Sequence, residues 1–235
     1  MGKLILVLGS STSLGAAFVK EAKKRGHRGV CLDTPILLMR NDEAIASWLH
    51  RNVTRNPDWL VNCYGRNQLD EIGKTPYQEN SRFGAGFTNS LLIDNVTPLY
   101  WMINGLIAEK FKPMRVLSVA SQTYRIAQTN TAMYCASKAA LVQLSRTMAR
   151  ELAPKGWVIN CLAPGKITDT EMAKLTDAQV LKLRKWTKKQ ADAYALRGVP
   201  MRRFTTRAEV CEAMFKILDL PAYINGTCID MTGGA

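Results

Sequence analysis

The opening stretch "KLILVLGSSTSLGAAFVKEAKKRG" (3–26) constrains the fold more than any other part of the chain. A short continuous run of β-type apolar residues (3–9) closes on a glycine. The spacing then changes to that of an amphipathic helix (13–26) with a basic outer face and a glycine stop. A strand that is apolar at every position is buried on both of its faces.

The same alternation continues along the chain. Strand-like runs fall at 29–33, 35–40, 58–65, 114–121, 157–165 and 226–234, and helical spacing at 42–53, 83–110, 132–153 and 207–220. Strands alternating with helices predict an α/β fold: a single-domain, Rossmann-like, doubly wound parallel β-sheet with helices on both faces, spanning 1–235. No internal repeat or low-complexity linker interrupts it.

Composition narrows the function classes. The net charge is +13, but the basic residues are dispersed apart from one stretch, and no nucleic-acid motif accompanies them, so no nucleic-acid partner is expected. No apolar run approaches the roughly 20 residues that cross a bilayer, and the N-terminus lacks a targeting pattern, so a cytoplasmic protein without membrane contact is expected. The six cysteines show no CxxC spacing and the chain has two histidines, so no metal site is expected and the thiols read as buried and reduced.

Three constellations carry chemistry. The first is the turn "GSSTSLG" (9–15) between strand and helix. Backbone N–H groups at a helix N-terminus, here around Ser11, Ser13 and Leu14, hold a pyrophosphate, and Gly9 and Gly15 let it approach. The second is Asp33, which lies 24 residues after Gly9 at the end of the second strand. An acidic residue about 20 positions on accepts the adenosine ribose hydroxyls and repels a 2′-phosphate, which favours NAD over NADP; the alternative is a carboxylate that caps the turn at Thr34-Pro35. The third is Tyr134 and Lys138 in "MYCASK", one turn apart on one helix face. A nearby ammonium lowers a phenol's pKa, and such a tyrosine moves a proton to or from a substrate oxygen. The competing reading is two side chains sharing a packed face.

In their order these segments resemble the classical short-chain dehydrogenases/reductases, from residue 3 to 235. The family's Gly-x-x-x-Gly-x-Gly turn matches at Gly9 and Gly15, with Ser13 in place of the middle glycine. "VNCYG" resembles its Asn-Asn-Ala-Gly segment, with Asn62 and Gly65 retained and Tyr64 where alanine is usual. Ser121 stands 13 residues before Tyr134, as in the family, with Ser118 as the runner-up serine. Asn95 resembles the asparagine that completes a catalytic tetrad through a water. "NCLAPGKITDT" resembles the Pro-Gly segment, where Pro164, Gly165, Ile167 and Thr168 would meet the nicotinamide end, and "YINGTCIDMTGGA" resembles the closing segment.

The resemblance implies catalytic roles for Asn95, Ser121, Tyr134 and Lys138, the last also holding the nicotinamide ribose. It implies hydride transfer between NAD (NADP as the alternative) and a secondary alcohol or ketone. A 3-oxoacyl-thioester reductase using NADPH and a catalytically silent dinucleotide sensor are the competing functions. It also implies a homodimer or homotetramer through the two long helices, and a substrate lid over 168–203. That stretch is rich in lysine and arginine and reads either as a solvated helix pair or as a lid that attracts an anionic small molecule. Trp186 and Tyr194 supply apolar wall or helix packing. The link between the second strand and 35–40 is short, which opens the adenine pocket toward Asn41 and Asp42.

Overall fold

A computed structural model describes residues 2–32, 42–67, 69 and 87–235. Asp33, Asn41, the strand expected at 35–40 and the first residues of the helix expected at 83–110 lie outside the described residues.

The chain runs β1 (Leu4–Leu8), α1 (Ser13–Lys24), β2 (Arg28–Leu32), α2 (Asp42–Asn52), β3 (Trp59–Asn62), α3 (Phe87–Ala108), β4 (Arg115–Val119), α4 (Ala132–Leu152), β5 (Val158–Pro164), α5 (Glu171–Arg184), α6 (Lys188–Leu196), α7 (Arg207–Leu218) and β6 (Cys228–Met231). Among the described residues the strands form one sheet of order β2-β1-β3-β4-β5-β6, and every neighbouring pair is parallel. The expected parallel, doubly wound sheet is therefore present.

Alternate residues of one strand serve opposite cores, which is why β1 is apolar throughout. Leu6 and Leu8 pack with Ile45, Leu49, Leu99, Ile103 and Leu141 beneath α2, α3 and α4. Ile5 and Val7 pack with Phe18, Met214 and Phe215 beneath α1 and α7, where the Phe18 and Phe215 rings stack 4.6 Å apart. Each such side chain contributes about 1.5–3 kcal/mol by leaving water, so both layers hold the strand ends in fixed register.

Strand β1 is flanked by β2 on one side and β3 on the other, so the winding reverses beside it. The carboxyl ends of strands at such a reversal open the crevice where α/β sheets take ligands. The thiols are less uniformly buried than expected: Cys63, Cys161 and Cys211 are buried, Cys135 and Cys228 half-buried and Cys31 exposed; all six are unpaired.

Candidate active site

The turn after β1 is built by its own backbone contacts. Gly9 has φ +75°, and a side chain there would meet the Tyr64 backbone at 2.8 Å; one on Gly15 would meet the Gly9 carbonyl oxygen at 2.1 Å. Both glycines are thus required by close approach of chain to chain. Thr12 is the N-cap of α1: its hydroxyl accepts from the Gly15 N–H at 3.0 Å and donates to the Gly9 carbonyl at 2.7 Å. The N–H groups of Ser13 and Leu14 make no hydrogen bond to the described protein, and both residues face the cavity. Two free N–H groups at a helix N-terminus suit a diphosphate, so the turn fits a dinucleotide.

Ser13, where the family has its middle glycine, has a partner far away in sequence. Its hydroxyl accepts from the Glu171 N–H at 2.9 Å, the first residue of α5. Arg207 braces the same junction, donating to the Ser13 carbonyl at 3.4 Å and to the Asp169 carboxylate at 2.8 Å. The Arg207 guanidinium holds the Asp169 carboxyl below its ordinary range.

Tyr134 and Lys138 lie on the buried face of α4, 8% and 4% exposed. The Tyr134 hydroxyl and Ser121 are hydrogen-bonded, and Ser121 Oγ also accepts from the Thr123 N–H as the cap of a 3-10 turn, Gln122–Tyr124. Ser118 lies fully buried inside β4 and away from the cavity wall. Lys138 Nζ donates to the Val119 carbonyl at 3.0 Å and sits 5.7 Å from the Tyr134 ring centre. Gly65 makes room for it, since a side chain there would meet Nζ at 3.1 Å and Asn95 Oδ1 at 3.2 Å.

The expected electrostatics are reversed in one respect. Burial pushes the Tyr134 phenol up to about 12, opposed by the Ser121 hydrogen bond, and burial pushes Lys138 down to about 8. Lysine is not what sets the phenol here; desolvation is. The tyrosine is therefore protonated at neutral pH.

Asn95 is buried and makes three hydrogen bonds. Oδ1 accepts from the Arg66 N–H at 2.8 Å, while Nδ2 donates to the Arg66 carbonyl at 3.0 Å and to Ser137 Oγ at 2.8 Å. Ser137 in turn donates to the Tyr134 carbonyl at 2.8 Å. These bonds tie the segment after β3 to α4. Asn62 folds the same segment locally, its Oδ1 accepting from the Tyr64 N–H at 3.1 Å.

A cavity of about 960 Å³ collects most of these groups. Ser11, Ser13, Leu14, Gly65, Ser121, Tyr134, Lys138, Pro164, Gly165 and Ile167 line it, while Gly9, Gly15, Asn62 and Asn95 stand behind its wall. Thr168 does not line it: its N–H and hydroxyl both turn to the Thr205 carbonyl. Thr170 lines the wall instead and caps α5 through the Ala173 N–H. Three buried oxygens on that wall, Asn67 Oδ1, Gln122 Oε1 and Thr123 Oγ1, lack partners among the described residues, so polar ligand groups have acceptors to meet. Among the described residues no cluster of metal-ligating side chains occurs, and no helix is long and apolar enough to cross a membrane.

The reversal of winding at β1, the helix N-terminus on the crevice and the Ser-Tyr-Lys group beside it define a dinucleotide-binding oxidoreductase fold. A family model described as enoyl-(acyl carrier protein) reductase matches residues 39–235. The 3-oxoacyl-(acyl-carrier-protein) reductase of Vibrio harveyi is 30% identical over 256 residues, covering 99% of this chain and 97% of its own. A short chain dehydrogenase family protein from Francisella tularensis superposes with a TM-score of 0.84 at 18% identity, covering 100% of this chain and 98% of the other. The actinorhodin polyketide ketoreductase, solved with NADPH, gives 0.78 at 21% identity over 99% and 97% of the two chains. The chain belongs to the classical short-chain dehydrogenase/reductase family of oxidoreductases.

Proposed function

We propose that the protein reduces a ketone on a small molecule to a secondary alcohol, with Tyr134 as the general acid. The observation that carries this reading is the placement of Ser121, Tyr134 and Lys138 together on the cavity wall, with Tyr134 and Lys138 one turn apart on the buried face of α4. A neutral phenol carries a proton that it can give to a carbonyl oxygen, which is the role proposed for Tyr134. A nicotinamide held at this wall would supply the hydride that the carbonyl carbon takes up. Tyr134 gives its proton to the oxygen, Ser121 hydrogen-bonds that same oxygen as charge builds there, and Lys138 returns a proton toward Tyr134 and holds the ribose.

Gly9, Gly15, Asn62 and Asn95 shape the site from behind, Gly65 lines it beside Lys138, and Ser11, Ser13 and Leu14 would hold the phosphates. Pro164, Gly165 and Ile167 wall the nicotinamide end; Thr168 serves by fixing the turn to Thr205. The whole chain acts as one domain in the cytoplasm, with 168–203 as the lid. Tyr100 and Trp101, adjacent rings on α3 with Tyr100 44% exposed, support subunit contact through that helix in a dimer or tetramer.

NAD(H) is the proposed cofactor, because Asp33 would repel a 2′-phosphate and the turn 9–15 carries no cation to bind one. The second reading, an NADPH-dependent 3-oxoacyl-thioester reductase, is favoured by the relative from Vibrio harveyi. Binding of NADH and NADPH, followed by fluorescence, separates them. Tight NADH binding that an Asp33→Asn substitution shifts toward NADPH supports the first reading, and NADPH binding alone in the unaltered protein refutes it.

A further inference from the structure

Six lysines and arginines line the cavity, and four of them are already engaged. Lys138 donates to the Val119 carbonyl, Arg66 pairs with Asp94, Lys166 with Asp177 and Arg203 with Glu209. Arg184 and Arg197 meet no carboxylate among the described residues. The lid has no spare acid to offer them: Glu171, Asp177 and Asp192 are each taken by lysines.

These two arginines converge on one ring. The Arg184 guanidinium carbon lies 5.0 Å from the centre of Tyr194 and 4.8 Å from that of Trp186, and Arg197 lies 5.9 Å from Tyr194. Arg184 is the last residue of α5 and Arg197 caps α6, and helix dipoles favour cations at those ends. The dipoles account for the charge at each helix end; they do not account for convergence on a shared ring. Stacking occupies the face of a guanidinium and leaves its in-plane donors free. Arg184 uses one of these, on the Thr129 hydroxyl at 2.5 Å, which fastens the lid to the segment before α4. Two cations around one ring repel each other, and an anion that meets their open donors relieves that repulsion.

We infer that Arg184 and Arg197, braced by Tyr194, form an anion subsite at the rim of the cavity. The substrate is accordingly a ketone that carries a phosphate or carboxylate group away from the reacting carbonyl. The inference rests on the carbonyl-reduction reading of Tyr134 and extends it to a substrate class.

The test is an equilibrium one, so that it does not depend on turnover. The protein is saturated with its nicotinamide cofactor, which fills the phosphate turn, and titrated calorimetrically with inorganic phosphate and, separately, with acetate. The expected result is binding of one of the two anions, weakened about ten- to a hundredfold by Arg184→Gln or Arg197→Gln, the loss typical of a charge-assisted hydrogen bond. Lys182→Gln, on the same helix but off the cavity wall, leaves it unchanged. Arg184→Lys keeps the charge without the planar fork and gives an intermediate loss. Phosphate binding assigns a phosphate ester, and acetate binding assigns a carboxylic acid. Failure of both anions to bind the unaltered protein, or equal binding by the arginine variants, overturns the subsite. Anion binding by a protein that reduces no ketone would instead refute the reading of Tyr134 and leave the subsite standing.

Discussion

Replacing Lys138 by methionine is expected to make the protein more stable at neutral pH and to remove that gain as the pH rises. Burial lowers the lysine from 10.5 to about 8 in the folded protein. Below pH 8 the folded chain therefore holds an ammonium it would rather release, at a cost of about 3 kcal/mol, since each tenfold loss of proton affinity is worth about 1.4 kcal/mol. Between about 8 and 10.5 the unfolded chain binds more protons than the folded one. Stability contributed by this group thus rises with pH through that window, by about 1.5 kcal/mol between pH 7 and 9.3. Methionine fills much of the same volume with no proton to lose, although it orphans the Val119 carbonyl, which accepts from Nζ at 3.0 Å. That offset, about 1 kcal/mol, is independent of pH. Urea denaturation of both proteins without cofactor at pH 6.5, 7.5, 8.5 and 9.3 measures the difference. The expected advantage of Lys138→Met shrinks steadily above pH 8. A difference that stays constant across the series would refute the claim that Lys138 is held charged against its burial.

Three further outcomes follow from the same contacts. Gly15→Ala places a methyl 2.1 Å from the Gly9 carbonyl, so the turn must move; denaturation should reveal a loss of about 3 kcal/mol, within the range for overpacking and backbone strain, together with lost cofactor binding. Ser13→Ala strips the Glu171 N–H of its acceptor and should cost about 1 kcal/mol, with faster proteolysis around 184–188; an unchanged cleavage rate would mean that the serine does not hold the lid. Asn95→Ala frees the Arg66 backbone and Ser137 together. It should destabilise the protein by about 2–3 kcal/mol and lower turnover, whereas loss of turnover at full stability would give this side chain a direct chemical role.

The strands were legible because continuous apolar runs have few other uses in a chain of this length, and Tyr134 and Lys138 because the i, i+4 spacing survives into α4 unchanged. Gly9 and Gly15 were legible as a turn, but the reason each must be glycine came from Tyr64 and from the turn itself. What escaped were partners distant in sequence. Ser13 reads as a defect in a glycine motif until Glu171, 158 residues on, is brought to its hydroxyl. Ser137 carries no local signal, yet it joins Asn95 to the Tyr134 carbonyl. The tie of Thr168 to the Thr205 carbonyl, beside the bridge between Ile167 and Thr205, was likewise invisible in the motif. The stretch 168–203 was legible as a pair of polar helices, and the capping box at Thr187 and Gln190 marks the start of α6 in the sequence itself. The Tyr134 phenol moved up where the spacing implied down, because spacing conveys the lysine's nearness and not the depth of burial.

Whether Tyr134 donates the proton in ketone reduction is tested most directly by Tyr134→Phe. The variant and the unaltered protein are compared in a single-turnover reaction of bound reduced cofactor with a ketone substrate, with cofactor affinity measured in parallel. Proton donation by the phenol predicts unchanged cofactor binding and a rate lowered by about 10²–10⁴-fold, the usual contribution of a general acid. A variant that reduces the ketone at the unaltered rate would contradict it.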